Sequence, residues 1–169
     1  AEEKGYLFVP IGISLNGKEY EDGVDLTKDE FYDLLVNGET FPKTSQPSPQ
    51  VFLDLFEQAK KDGDEIVAIL LSSALSGTYQ SAVLARQMAD YEGIHLIDSL
   101  TATGVIRVLA DYAKGLADQG RSAAEVAALT EAFRSRVHVI AMMDTLEFLQ
   151  KGGRIGKAAA ILGELARLK

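Results

Sequence analysis

The chain has 169 residues, enough for one good-sized core or one domain with part of another, and is 47% hydrophobic, as globular proteins are. Its net charge of −8 provides no basic stripe for nucleic acid, and the lack of cysteine excludes disulfides, thiolate chemistry and cysteine-based zinc sites. No apolar run approaches the roughly 18 residues of a membrane span, so no stable membrane insertion is expected and a soluble cytoplasmic protein is the default.

Leu7 to Leu15 reads as a strand in which Pro10 marks an edge or a bulge. Asn16-Gly17 is a hairpin signal, and Lys18-Glu19-Tyr20 forms the return strand. Thr27 and Glu30 make a capping box for a helix through Phe31, Leu34 and Leu35, which Asn37-Gly38 stops. The stretch from Phe41 to Pro49 holds three prolines, which argue against regular structure. Ser48-Pro49 has the form of an N-cap with proline at the first helical position. The helix that follows, to about Lys61, carries Phe52, Leu55, Phe56 and Ala59 on one face.

Ile66 to Leu71 is an uninterrupted apolar run, expected to be a strand buried on both faces. Five hydroxyl residues come next within ten positions: Ser72, Ser73, Ser76, Thr78 and Ser81. A helix from Tyr79 to about Tyr91 follows Gly77. Strand, hydroxyl-rich turn and helix start together suit an anion, because free N–H groups and rotating hydroxyls converge there. Alternatively, Ser76 or Thr78 simply caps the helix.

Ile94 to Ile97 is a second strand, ending at Asp98-Ser99. A helix from Thr103 to about Ala117 and another from the capping box Ser122–Glu125 to about Arg134 follow. Val137 to Met142 reads as a third strand, and Asp144 as the cap of a short helix through Leu149. Gly152-Gly153 breaks that helix, Arg154 comes next, and a final helix is expected over 157–168. Alternation of this kind predicts an α/β fold with a mainly parallel sheet between helices, whose ligands bind past the carboxyl ends of the strands. Both ends look unfinished, so part of a larger protein is expected.

Enzyme motifs fit poorly. The sequence around Ser76, Ala74-Leu75-Ser76-Gly77-Thr78, lacks both glycines of a nucleophile elbow. The two histidines, His95 and His138, sit in strand-like runs and read as structural. A serine-dependent acyl hydrolase remains the alternative to a binding protein, with a pure interaction module third. Asp98 and Asp144 read as caps, and Arg154 as either a surface charge or a partner contact. The Thr44–Ser48 segment is stiff and hydroxyl-rich. If it lies beside the Ser76 loop, the two grip a small anion without any charged side chain.

Four segments, Thr44-Ser45-Gln46-Pro47-Ser48, Ser72 to Ala82, Ile97-Asp98-Ser99 and Leu146 to Ile155, resemble the DegV family in order and spacing. DegV proteins are bacterial fatty-acid-binding proteins, some of which carry the acyl chain for a fatty acid kinase. The resemblance implies a non-catalytic carrier of a long-chain fatty acid such as palmitate, with no cofactor and no metal. It implies that Thr44 and Ser76 bind the carboxylate, with Ser45, Ser73, Gly77 and Thr78 supporting the loop. Arg154 resembles the arginine implicated in docking the kinase, and no role is assigned to Asp98 or Ser99. Residues 1–134 correspond to the lipid-head-binding α/β domain without its first strand, and 135–169 to the start of a second α/β domain. Family members are longer and usually open with a strand ending in a Thr-Asp-Ser-type motif, which this chain lacks.

Overall fold

A computed structural model of the chain describes residues 5–38, 40–142, 144, 145 and 147–154. In chain order the elements are β1 (Gly12–Leu15), β2 (Lys18–Glu21), α1 (Lys28–Asn37), β3 (Lys43–Ser45), α2 (Pro49–Asp62), β4 (Ile66–Leu70), α3 (Thr78–Ala89), β5 (Ile94–Asp98), α4 (Gly104–Asp118), α5 (Ala123–Arg134) and α6 (Glu147–Lys151). They fall into two compact units. One comprises residues 1–12 and 45–139, the other 13–44 and 140–169. The chain crosses between these units three times.

In the larger unit β4 and β5 run parallel, with Ile66 opposite Ile94 and Leu70 opposite Asp98. Ile66, Ala68 and Leu70 alternate onto one face and pack with Ile94 and Leu96 against Phe52 and Phe56 of α2. Ala82, Ala85 and Ala89 complete that core from α3, where their small side chains let the two helices pack together. Helices α4 and α5 pack on each other and on the strands, burying Leu109, Ala113 and Val126. The parallel α/β expectation therefore holds. Strand β4 is half-buried along most of its length instead of buried throughout, because β5 is its only strand partner among the described residues.

The smaller unit centres on a three-stranded sheet in the order β2-β1-β3. Its hairpin turns at Asn16 (φ 53) and Gly17 (φ 76), the paired left-handed residues of a type I′ turn. Ile13, Leu15 and Leu26 form its core, with Tyr20, Phe31 and Leu34 against them. The capping box of α1 is complete: Thr27 Oγ1 accepts from the Glu30 N–H at 3.3 Å, and the Glu30 carboxylate accepts from the Thr27 N–H at 2.9 Å. In α6, Phe148 packs against Phe41 with ring centroids 5.8 Å apart.

Several expectations need correction. Residues 7–11 are not strand; Pro10 has no N–H for a ladder, and Leu7 is 79% exposed. The preceding Tyr6 instead donates its hydroxyl to Asp111 at 2.6 Å. That hydrogen bond raises the Tyr6 pKa to about 12. Lys43–Ser45 is a strand despite its neighbours, because Pro42 and Pro47 flank it without entering it and β3 lies at a sheet edge. Residues 137–142 have no regular structure and pair with no strand among the described residues, leaving Ile140 and Met142 more than nine-tenths exposed and His138 outside any core. The Glu147 N–H is bound by Thr145 Oγ1, not by Asp144. The helix expected over 157–168 lies outside the described residues.

Phe56 is 2% exposed at the centre of the larger core. Phe56→Ala is expected to lower stability by about 3–5 kcal/mol, read as the shift of the urea unfolding midpoint at unchanged slope.

Candidate functional site

The parallel pairing brings the carboxyl ends of β4 and β5 side by side, and the loops beyond them are stitched together. The Ser99 N–H donates to the Leu70 carbonyl at 3.0 Å, and the Ser72 N–H to the Thr101 carbonyl at 3.0 Å. The Ser72 carbonyl then accepts from the N–H groups of Leu75 (2.9 Å) and Ser76 (3.1 Å), curling the loop back on itself. Ser72 Oγ accepts from the Ala74 N–H at 3.3 Å and is buried.

Asp98 clamps the two loops. One carboxylate oxygen accepts from the N–H of Ser73 at 3.0 Å and of Leu100 at 3.1 Å. Its backbone carbonyl accepts from the Arg134 guanidinium of α5. Burial pushes the Asp98 carboxyl up, but the side-chain and backbone hydrogen bonds from Ser73, the Leu100 N–H and the Arg134 charge together outweigh it and hold the group below the usual carboxylate range. The sequence suggested a helix cap here. The structure shows a loop clamp instead, because Asp98 closes β5 and lies one residue beyond the ladder partner of Ile69. Its far wall bends through Leu100 (φ 53) and Thr103 (φ 59), both left-handed and neither glycine.

At the start of α3 the hydroxyls form a compact group. Ser76 Oγ lies 2.9 Å from Thr78 Oγ1 and accepts from the Thr78 N–H at 3.2 Å. Ser76 thus caps the first helical N–H, the plainer of its two expected roles, and shares a hydroxyl hydrogen bond with the buried Thr78. Gly77 is the residue before the helix and contributes no cap of its own. Ser73, Gly77 and Thr78 belong with Ser76 to this one corner. Both Ser73 donors face Asp98, so Ser73 supports the loop's shape.

Gln46, which sequence reasoning passed over, reaches the same corner. Its Nε2 donates to Ser81 Oγ at 3.0 Å, and its amide lies against Gly77. Ser45 and Gln46 share this unit with Ser76. Thr44, exposed in β3, and Arg154 belong to the other unit. Arg154 follows α6, whose end is closed by Gly153 (φ 74) and by the Arg154 N–H donating to the Leu149 carbonyl at 2.8 Å. The side chain of Arg154 donates to the Gly152 carbonyl at 2.5 Å.

Among the described residues Ser76 has no histidine as a hydrogen-bond partner. The Ser76 hydroxyl is engaged by Thr78. His95 sits at the amino end of β5, with Nε2 3.7 Å from the Glu65 carboxylate. A cavity of about 390 Å³ along α3 is lined by Tyr79, Val83, Arg86, Asp90, Tyr91 and Leu96, among others. It includes none of the expected site residues.

The lowered Asp98 pKa has a definite sign. Its stabilisation is present above the unfolded value of about 3.9 and is lost as pH falls through the lower folded value. Urea unfolding from pH 7 down to pH 2 is expected to show a steeper acid loss for the wild type than for Asp98→Asn, which keeps the shape but does not titrate.

The family model described as "Uncharacterised protein, DegV family" matches residues 1–169. A DegV domain-containing protein of Caldanaerobacter subterraneus subsp. tengcongensis is 40% identical over 165 residues, 98% of this chain and 59% of the relative. A DegV family protein from Thermus thermophilus, described by its fatty acid binding, superposes with a TM-score of 0.82 at 36% identity, over 96% of this chain and 57% of its own. The Streptococcus pneumoniae Fatty Acid Kinase (Fak) B3 protein, loaded with linoleic acid, superposes with a TM-score of 0.67 at 31% identity, over 75% and 45%. The chain thus spans less than two thirds of the length of each of these proteins. With the family model covering its whole length, the chain belongs to the DegV family.

Proposed function

We propose that the chain binds a long-chain fatty acid such as palmitate and presents its carboxylate to a fatty acid kinase. The observation that carries this reading is the Ser76–Thr78 hydroxyl pair, 2.9 Å apart at the start of α3. An incoming carboxylate replaces a neutral hydroxyl contact with charge-assisted ones, aided by the first N–H groups of the helix. Thr44 and Ser76 are the residues assigned to the carboxylate, with Ser45, Ser73, Gly77 and Thr78 assigned to support the loop. Residues 1–134 carry the head-group site, and 135–169 open a second α/β domain. The fatty-acid binding described for the Thermus relative and the linoleic acid held by the streptococcal one support this ligand class.

Magnitudes divide the work. Each buried CH₂ contributes about 0.8 kcal/mol, so the roughly fourteen of palmitate supply on the order of 11 kcal/mol before the costs of binding. A hydrogen bond to a charged head adds about 1.5–3 kcal/mol. The tail dominates affinity, and the head group fixes which end faces the partner. Neutral donors also suit a carboxylate that must react. In the kinase step a carboxylate oxygen attacks the γ-phosphorus of ATP, the bond to ADP breaks, and an acyl phosphate forms. A buried lysine or arginine on that carboxylate would hold it harder and reduce its nucleophilicity. Catalysis thus falls to the kinase, and Arg154, exposed beyond α6, is the residue assigned to docking it.

In the intact protein, Ser76→Ala and Thr44→Ala are each expected to weaken palmitate binding about tenfold, measured by isothermal titration. Unchanged affinity in both removes these residues from the head-group site. Arg154→Ala is expected to leave palmitate affinity within about twofold while reducing acyl phosphate formation with kinase and ATP about tenfold. Loss of lipid binding instead would make Arg154 a pocket or structural residue.

A further inference from the structure

Glycine at position 77 is not required by its backbone. Gly77 has φ −76 and ψ 4, open to any residue. What it lacks is a Cβ, and the side-chain amide of Gln46 fills that space. The Cδ and Nε2 of Gln46 stand 2.5 and 2.7 Å from where a Cβ on residue 77 would lie, and Oε1 is nearer still. The same Nε2 donates to the hydroxyl of Ser81, which is 1% exposed within the first turns of α3. One residue earlier, Ser45 Oγ occupies the space a Cβ on Gly12 would need. Two consecutive residues of the hydroxyl segment are therefore each seated against a glycine. The Ser45 approach follows from the pairing of β3 with β1, but nothing in strand pairing brings the Gln46 amide to Gly77, and water would satisfy an exposed amide equally well.

We propose that Gln46 is a positioning residue of the head-group site: its amide pegs the Ser45–Gln46 segment to the first turn of α3, in the space left by Gly77, and so sets the donors that meet the ligand's carboxylate. This role rests on the fatty-acid reading above. It makes Gly77 and Gln46 a matched pair. A methyl at 77 expels the amide, and loss of the amide makes that methyl harmless. The two changes are therefore non-additive in one direction only.

The test uses the intact protein and two ligands with the same tail, palmitate and 1-hexadecanol. Gln46→Ala and Gly77→Ala are each expected to weaken palmitate about tenfold and hexadecanol by less than about threefold. The double variant Gln46→Ala/Gly77→Ala binds palmitate no more weakly than Gln46→Ala alone. Gln46→Glu provides a folded control, because its carboxylate keeps the length and accepts from the Ser81 hydroxyl. Its added negative charge weakens palmitate and spares hexadecanol. Equal loss of both ligands across the variants, fully additive single changes, or palmitate binding unaltered in all of them overturns the role of Gln46. Wild-type protein that binds neither ligand overturns the carrier reading itself, and the positioning role with it.

Discussion

Leu70 lies opposite Asp98 in a parallel ladder, and the polar end of the larger unit depends on that pairing. Parallel strands bring their carboxyl ends to the same edge, so two chain segments 28 residues apart in register leave the sheet together. Without the register, Ser73 and Asp98 would have no reason to meet. With it, a single carboxylate oxygen receives two backbone N–H groups and fixes the exit angle of both loops. Strand pairing, loop shape and hydroxyl placement form one causal sequence.

The acid at the centre of this arrangement does not oppose an anionic ligand as strongly as its charge suggests. Its hydrogen-bonding capacity is directed into the loops by Ser73 and Leu100, and Arg134 lies against its own carbonyl. The division of labour is physical. Charged groups, Asp98 and Arg134, hold the loops together, while the hydroxyls at the start of α3, Ser76 and Thr78, are neutral.

Much of this was legible in the residues. Capping boxes are local, four-residue devices, and those at Thr27 and Ser122 form as their spacing dictates. Asn16-Gly17 is local too. The alternation of strand and helix followed from the apolar runs at 66–71 and 94–97. What the residues hid depends on distant partners. The run 137–142 has the composition of a strand, but a strand needs a neighbour for its backbone groups, and pattern alone does not supply one. Lys43–Ser45 is the converse case, where an edge position tolerates flanking prolines. Asp98 was mistaken for a cap because Asp before a helix usually is one. One of its two backbone partners lies 25 residues upstream. Gln46 was overlooked because nothing in its own segment marks a side chain destined for the space beside a distant glycine.

Leu100 and Thr103 hold left-handed backbone angles without being glycine, and Thr103, at φ 59 and ψ −143, is β-branched as well. Each such residue stores on the order of 1–3 kcal/mol. A glycine would relieve that cost at once, yet it would also multiply the shapes open to the turn in the unfolded and folded chain alike. Retaining bulky side chains there trades thermodynamic comfort for a bend with few alternatives. The turn beyond β5 is thus a stiff bracket rather than a hinge.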